Sequence, residues 1–430
     1  MKRSCRFCLP ASLAIILFTA LFLQACSSDS KSAGGEPVEL SFPTFWVGED
    51  GKTDIVQKIV NDFNAKYEGQ AKVVIDPIPD DDVYQTKMKT NLASNQLPDI
   101  FTFYYNPVES ELYYKSGRLL DLAPIVGDSL KANFGEEVLA AGTYEGKVLA
   151  VPLDQMITPF FYNKDLFAQA GITEFPKTWD DLINAAEALK SKGINAFAMG
   201  TGENAWSAML LYSYIVSSVG GPDVYQAGLN DPAFVKGAEI LKKLFEFTPK
   251  DAVGATYQQY AAHFLNEKAA ITVNGPWMIS EFQQHNEALP AKIGVAASPG
   301  QPSGLGIEGA LVSGLGWTMA AKKQDDPKKE EFAAKFIEYF ISPENAKQIF
   351  LQSGEIFNST NYELAETDNV DRITQDILAK VNEAPQTYNY FEGMVSSGVK
   401  TEFPAALSGL VLGEYTPEQF VERVVKASQQ

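Results

Sequence analysis

Two hydrophobic periods take turns along this chain, and their alternation limits the folds open to it more than any single residue does. Val38 to Trp46 (VELSFPTFW) is a strand-like run. Thr53 to Tyr67 then sets Ile55, Val56, Ile59, Val60, Phe63 and Tyr67 on one helical face, and Lys72 to Ile75 returns as a strand. Val83 to Leu92 reads as an amphipathic helix, and Leu97-Pro98-Asp99 turns the chain into a third strand, Ile100 to Tyr105. Strands separated by helices predict an α/β protein with mostly parallel sheets covered on both faces. At 430 residues the chain exceeds what one hydrophobic core usually supports, so at least two lobes are expected.

The same grammar recurs in Phe264 to Phe282 (FLNEKAAITVNGPWMISEF). Ala270 to Val273 is a short apolar run, Asn274-Gly275-Pro276 is turn chemistry, and Trp277 opens a helical pattern. Trp277 is therefore expected beyond the carboxyl end of a strand, where ligands bind in open α/β sheets, with a core position as the competing reading. Other polar-tipped rings fall at similar places: Trp46, Tyr104 and Tyr105 end strands, and Trp206 starts a helix directly after Glu203 and Asn204. Trp179 and Trp317, set in helical and strand patterns, are assigned to packing. Further helices are expected at Trp179 to Leu189 behind the cap Thr178, Trp206 to Val219, Ala233 to Phe247, Tyr257 to Leu265 and, after a strand at Leu311 to Ala320, in the last hundred residues.

The amino terminus carries an address. Lys2, Arg3 and Arg6 precede an apolar run, Ala11 to Leu23, too short to span a bilayer, which reads as a secretion signal over residues 1–25. Leu23-Gln24-Ala25-Cys26 resembles the bacterial lipobox, in which the signal is cut before a cysteine whose thiol is lipidated; residues 26–36 then form a flexible tether. Cys26 is the one cysteine outside the signal, so the mature chain is expected to hold no disulfide, and Cys5-x-x-Cys8 lies in the discarded part. The formal net charge is −19, and removing the three signal cations leaves −22. So acidic a surface argues against nucleic acid as a partner and against charge-driven membrane binding.

Motifs for catalysis are weak. Gly304-Leu305-Gly306-Ile307-Glu308-Gly309 matches GxGxxG but follows a Pro-rich loop and precedes a strand, which leaves loop flexibility near a hinge as its reading. Gly51-Lys52-Thr53 lacks the leading glycine of a P-loop, and His263 and His285 belong to no HExxH. Asp80-Asp81-Asp82 lacks the spacing of a calcium loop and reads as a helix N-terminus. Neither a metal nor a cofactor is expected. A two-carboxylate hydrolase stays open as the enzymatic alternative.

The order LPDIFTFYY, KVLAVPLDQMITPFFYNKDLFAQAGI, FPKTWDDLINAAEALK, FLNEKAAITVNGPW, GLGWTMAAKK and FAAKFIEYFISPENAKQIF resembles the extracytoplasmic solute-binding proteins of ABC importers, most closely their sugar-binding, maltose-binding-protein-like branch. The resemblance implies the two-lobed periplasmic-binding-protein-like fold (type II), each lobe a mostly parallel sheet flanked by helices. It places 37–152 and 307–350 in the N-terminal lobe, 153–306 and 351–430 in the C-terminal lobe, and crossings near Val151 to Leu153 and Gly306 to Leu311. It also implies a monomeric, lipid-anchored binder that delivers a sugar to a permease without catalysis; polyamine or peptide ligands are the alternatives within the family. Carried over by motif, the ligand-facing residues are Trp277, Tyr104 or Tyr105, Asp154 with Gln155, and Tyr390 or Phe391. Trp46, Glu203 and Trp206 join them from the strand-end and helix-start reading, with Glu49 and Asp50 behind them.

Overall fold

The computed structural model describes residues 36–429 apart from 49, 303 and 357–361. The signal, Cys26 and Glu49 lie outside the described residues, as does all of the tether but its last residue.

The strand Val38–Thr44 pairs in parallel with Ala71–Pro77, in register from Val38 opposite Ala71 to Thr44 opposite Pro77. The helix between them, Thr53–Lys66, buries Ile55, Val56, Ile59, Val60 and Phe63, the stripe that its 3.6 period foretells. Burying each of the larger of these side chains stabilises the lobe by about 1.5–3 kcal/mol. Ile100–Tyr104 runs antiparallel to Trp317–Ala321, which pairs on its other side with Val151–Pro152. These elements share one hydrophobic core, drawn from residues between Leu40 and Leu153 and between Trp317 and Ile349.

The second lobe is built on a four-stranded sheet in the order Ile293–Ala296, Phe160–Asn163, Ala269–Val273, Asn195–Phe197, in which Phe160–Asn163 runs antiparallel to both neighbours and one pairing of the three is parallel, so the expected mostly parallel sheet is a mixed one. Two apolar clusters flank it, drawn from residues between Met156 and Val312 and between Ile373 and Ala427. The helix Trp206–Gly220 is apolar almost all round and nearly wholly buried, as a helix without a polar face must be.

A small sheet links the lobes: Leu311–Leu315 lies between Thr387–Tyr388 and Gln155–Ile157. The strand expected over Leu311 to Ala320 is broken at Gly316 into Leu311–Leu315 and Trp317–Ala321, one serving each lobe. Leu311 and Val312 pair with Thr387 and Tyr388 and pack in the second lobe, so the chain returns at Ser313–Gly316, later than the expected Gly306 to Leu311. The GxGxxG loop is a packing device rather than a flexible one: a Cβ on Gly304 or Gly306 would collide with the Ser218 carbonyl or the Tyr388 hydroxyl. Two helices of the first lobe, Pro107–Lys115 and Ala123–Asn133, were not foreseen. The signal for the first was available, since Asn106 accepts from the amides of Val108 and Glu109 and Pro107 fills the first helical position.

Candidate ligand-binding cleft

The second lobe supplies a wall of rings. The fully buried strand Ala269–Val273 ends in Asn274-Gly275-Pro276, and Trp277 caps the helix Met278–His285. The Trp277 ring lies across Gly275, where any Cβ would collide with it, so the turn needs glycine there. Trp206 opens its own helix beside it, with ring centroids 6.4 Å apart at 42°, and both rings are half-buried. The loop into Trp206 is strained: Glu203 and Ala205 sit at φ +50° and +53°, a region that costs side-chain-bearing residues about 1–3 kcal/mol. Hydrogen bonds hold it there. Glu203 Oε2 accepts from the Tyr257 amide at 3.0 Å, and Asn204 Oδ1 accepts from the Trp206 amide at 3.1 Å. The Tyr257 hydroxyl in turn donates to Glu281 Oε1 at 2.5 Å. Tyr257 and Glu281 escaped the sequence reading because nothing local marks them; their contact spans 24 residues.

The first lobe approaches this wall with acids. A Cβ on Gly51 would stand 2.9 Å from Ser280 Oγ, so the Asp50-Gly51-Lys52 loop seats on the helix that carries Glu281. Asp80 caps the helix Asp81–Ser94 as expected, accepting from the Val83 amide. Asp81 and Asp82 also feel acids of the other lobe, Glu392 and Glu203, which the helix-terminus reading missed. Asp82 is exposed, yet partial enclosure by neighbouring protein raises its pKa, and Asp80 and then Glu203 add to it. Burial likewise raises Glu281, reinforced by Asp50 although the Tyr257 hydrogen bond works against it. For Asp81, which keeps solvent access, enclosure by protein pushes in the same direction and Asp82 and Glu392 strengthen it.

At the hinge end, Tyr104 packs against the cores of both lobes and meets Trp317 and Tyr390 edge to face at 5.4 and 5.9 Å. Trp317, assigned to packing, does pack, against Phe45 at 4.4 Å, yet it also holds the Tyr104 ring. Tyr105 is half-buried beside it.

Four of the residues expected at the ligand have partners of their own in the core or at the hinge, three of them buried and Gln155 exposed. Trp46 is 2% exposed and stacks on Phe340 in the first lobe's core, because the chain bends back after Thr44 instead of turning outward. Tyr390 is 4% exposed, and its hydroxyl donates to the Leu315 and Tyr105 carbonyls, which makes it a hinge pin. Asp154, 8% exposed, accepts from the Trp317 amide at 2.6 Å. Gln155 is exposed on the linking sheet and donates to Ser313 Oγ at 2.9 Å. Phe391, the alternative to Tyr390, is fully buried in the second lobe. Beside Asp154 lies a buried ion pair, Lys52 with Glu355. Burial alone would lower the Lys52 pKa, but Asp50 and Glu355 outweigh it and hold it above the ordinary lysine value.

The structure thus brings Trp206, Trp277 and Glu203 together with Tyr257 and Glu281, seats the Asp50-Gly51-Lys52 loop of the first lobe against the helix that carries Glu281, and keeps Tyr104 and Tyr105 at the hinge end. Among the described residues no group of three or more His, Cys, Asp or Glu side chains is placed to hold a metal ion, and no helix is long and apolar enough to cross a membrane. A cavity of about 520 Å³ on the first lobe, lined by Tyr114, Tyr144 and Ile125 among others, shares no residue with these ring groups.

Set beside known proteins, the chain is 28% identical over 335 residues to the diacetylchitobiose binding protein DasA of Streptomyces coelicolor, spanning 74% of this chain and 75% of that one. It is 26% identical over 345 residues to the multiple sugar-binding protein of Streptococcus mutans, spanning 77% of each. A solved chitin oligosaccharide binding protein superposes with a TM-score of 0.81 at 25% identity, over 92% of this chain and 99% of that one. Residues 49–347 match the family model of the bacterial extracellular solute-binding proteins, and it is to that family, with its two-lobed fold, that this chain belongs.

Proposed function

We propose that the chain captures a carbohydrate between its lobes and delivers it to an ABC importer without chemical change. The observation that carries this reading is the half-buried Trp206–Trp277 pair flanked by Glu203 and Glu281. A sugar offers apolar C–H faces, which suit indole rings, and a rim of hydroxyls, which suit carboxylate acceptors. The names of the sugar-binding relatives support the same class of ligand. Tyr104 and Tyr105 would line the hinge end of the same cleft.

Closure follows from differential affinity: a ligand touching both walls favours the arrangement in which both are near, and equal affinity for the two states would shift nothing. The segments that would bend are Asp154–Gln155, Ser313–Gly316 and residues 350–356, where the chain passes between the cores. Cys26 would carry the lipid that tethers a monomer to the outer face of a bacterial membrane; a Cys26→Ser chain that still took up a labelled fatty acid would refute that anchor. A thermal-shift screen of mono- and oligosaccharides tests the ligand class, since a true ligand raises the melting temperature with concentration. No shift with any sugar, or turnover of an oligosaccharide on long incubation, would overturn the reading.

A further inference from the structure

The lobes also meet at a joint that lies outside the segments where the chain crosses. Asn106 stands at the start of the first-lobe helix Pro107–Lys115 and is fully buried. Its Oδ1 accepts from the Val108 and Glu109 amides at 2.9 and 3.1 Å, which caps the helix. Its Nδ2 faces the other lobe, where it donates to the carbonyls of Glu392 at 3.2 Å, Gly393 at 3.3 Å and Val395 at 2.9 Å. Those carbonyls belong to the short helix Phe391–Met394 and its end, and Phe391 and Val395 pack in the second lobe's core. Further along the capped helix, Glu109 pairs across the same joint with Lys400 at 3.2 Å, both side chains being nearly buried. Lys89 of its own lobe holds its other oxygen at 3.0 Å, and Lys400 also reaches Glu392 at 3.8 Å.

Helix capping explains only the oxygen of Asn106. Asp80, Asp231, Asp326 and Asp371 cap helices of this protein with a carboxylate, which serves a helix start as well as an amide does. A carboxylate cannot donate to carbonyls. The other capping asparagine, Asn163, likewise directs its amide to a remote partner, Glu267 Oε2 at 3.0 Å. At Asn106 both amide protons and the acceptor oxygen are satisfied only while the lobes stay together; parting them exposes these groups to water and separates Lys400 from Glu109. None of these residues carries a ring or carboxylate assigned above to the ligand. We infer that Asn106 and Lys400 form a clasp that holds the lobes together without a ligand, so that the closed arrangement is already populated in the free chain. Apparent affinity scales with the fraction of binding-competent chain, so the clasp raises affinity for whatever the cleft takes.

The deciding variant is Asn106→Asp, which keeps the cap and the size of the side chain and removes both donors. Small-angle X-ray scattering on the mature chain without sugar is expected to give a larger radius of gyration for Asn106→Asp than for the wild type. The closed-to-open ratio fitted to the profiles should fall about tenfold, while the helical circular-dichroism signal stays that of the folded chain. Lys400→Met should shift the radius the same way by a smaller amount, and it decides the question if the aspartate variant folds poorly. Equal radii for the wild type and the folded variants would overturn the inference and make the joint a fixed pivot; so would loss of unfolding stability with the radius unchanged. No sugar enters the measurement, so its outcome leaves the carbohydrate reading untouched.

Discussion

Trp277 and Trp46 both follow a strand, and the structure uses them in opposite ways. Trp277 follows an Asn-Gly-Pro turn, half-exposed beside a second indole and two carboxylates that have no cationic partner among the described residues. Trp46 falls back onto Phe340 in a packed interior. The same contrast holds for the charges: Glu281 and Asp82 have no cationic partner among the described residues, whereas Lys52 and Glu355 are buried and paired at the hinge. The carboxylates of one region have no cationic partners among the described residues, and the charges of the other are paired. Residue type alone therefore does not mark a binding site, and neither does leftover capacity by itself, since the indole N–H of Trp46 is buried without an acceptor among the described residues; what marks the site is capacity that stays accessible.

The hinge side should show the largest response to mutation. Lys52→Met leaves Glu355 buried without its partner and is expected to destabilise the chain by about 3–5 kcal/mol in urea unfolding, while adding Glu355→Leu should recover much of that loss. A cost below about 1 kcal/mol for Lys52→Met would mean that the pair does not hold the hinge. The two tryptophans then sharpen the contrast. Trp46→Ala should lower stability by about 3–5 kcal/mol and leave ligand affinity in the folded fraction unchanged. Trp277→Ala should cost about 2–4 kcal/mol of affinity by calorimetry with little change in unfolding. If both substitutions moved the same observable, the division drawn here would collapse.

Much of this architecture is written locally. The β-α-β start, the helix Tyr257–Leu265 and the strand-turn-helix around Trp277 follow from period and turn chemistry, and the structure has them within a few residues. The site was legible only where a local signal coincided with it, as at Trp277 and at Trp206 behind Glu203. Its other half depends on contacts far apart in sequence. Tyr257 meets Glu281 across 24 residues and Lys52 meets Glu355 across 303, and no window of residues encodes either. Trp46, Asp154 and Tyr390 misled for the same reason: whether a strand-end residue faces solvent or a neighbouring helix is decided by Phe340, the Trp317 amide and the Leu315 carbonyl, each remote in the chain.

Smaller effects probe the hinge without breaking it. Tyr390→Phe removes the hydroxyl that joins the second lobe to the Leu315 and Tyr105 carbonyls and should cost about 0.5–1.5 kcal/mol in unfolding. A larger loss of ligand affinity than of stability would place Tyr390 back at the ligand.

Asp154→Asn asks whether the hinge acid is charged. Burial, with Glu355 beside it, pushes the Asp154 carboxyl up to about 7, against a pull from Lys52. In the unfolded chain an aspartate titrates near 4, so between about pH 4 and 7 the folded protein keeps a proton that the unfolded chain releases. The stability that Asp154 contributes is thus full below that window and is lost as the pH rises through it. Asparagine has no such titration. The melting temperature of the wild type relative to Asp154→Asn should therefore fall from pH 5 to pH 8, by on the order of 2–4 °C for each kcal/mol involved. A difference that grew with pH instead would mean that Asp154 is ionised and that Lys52 serves a third carboxylate beside Glu355 and Asp50, which would make the hinge a charge cluster and move it closer in kind to the cleft wall it is contrasted with.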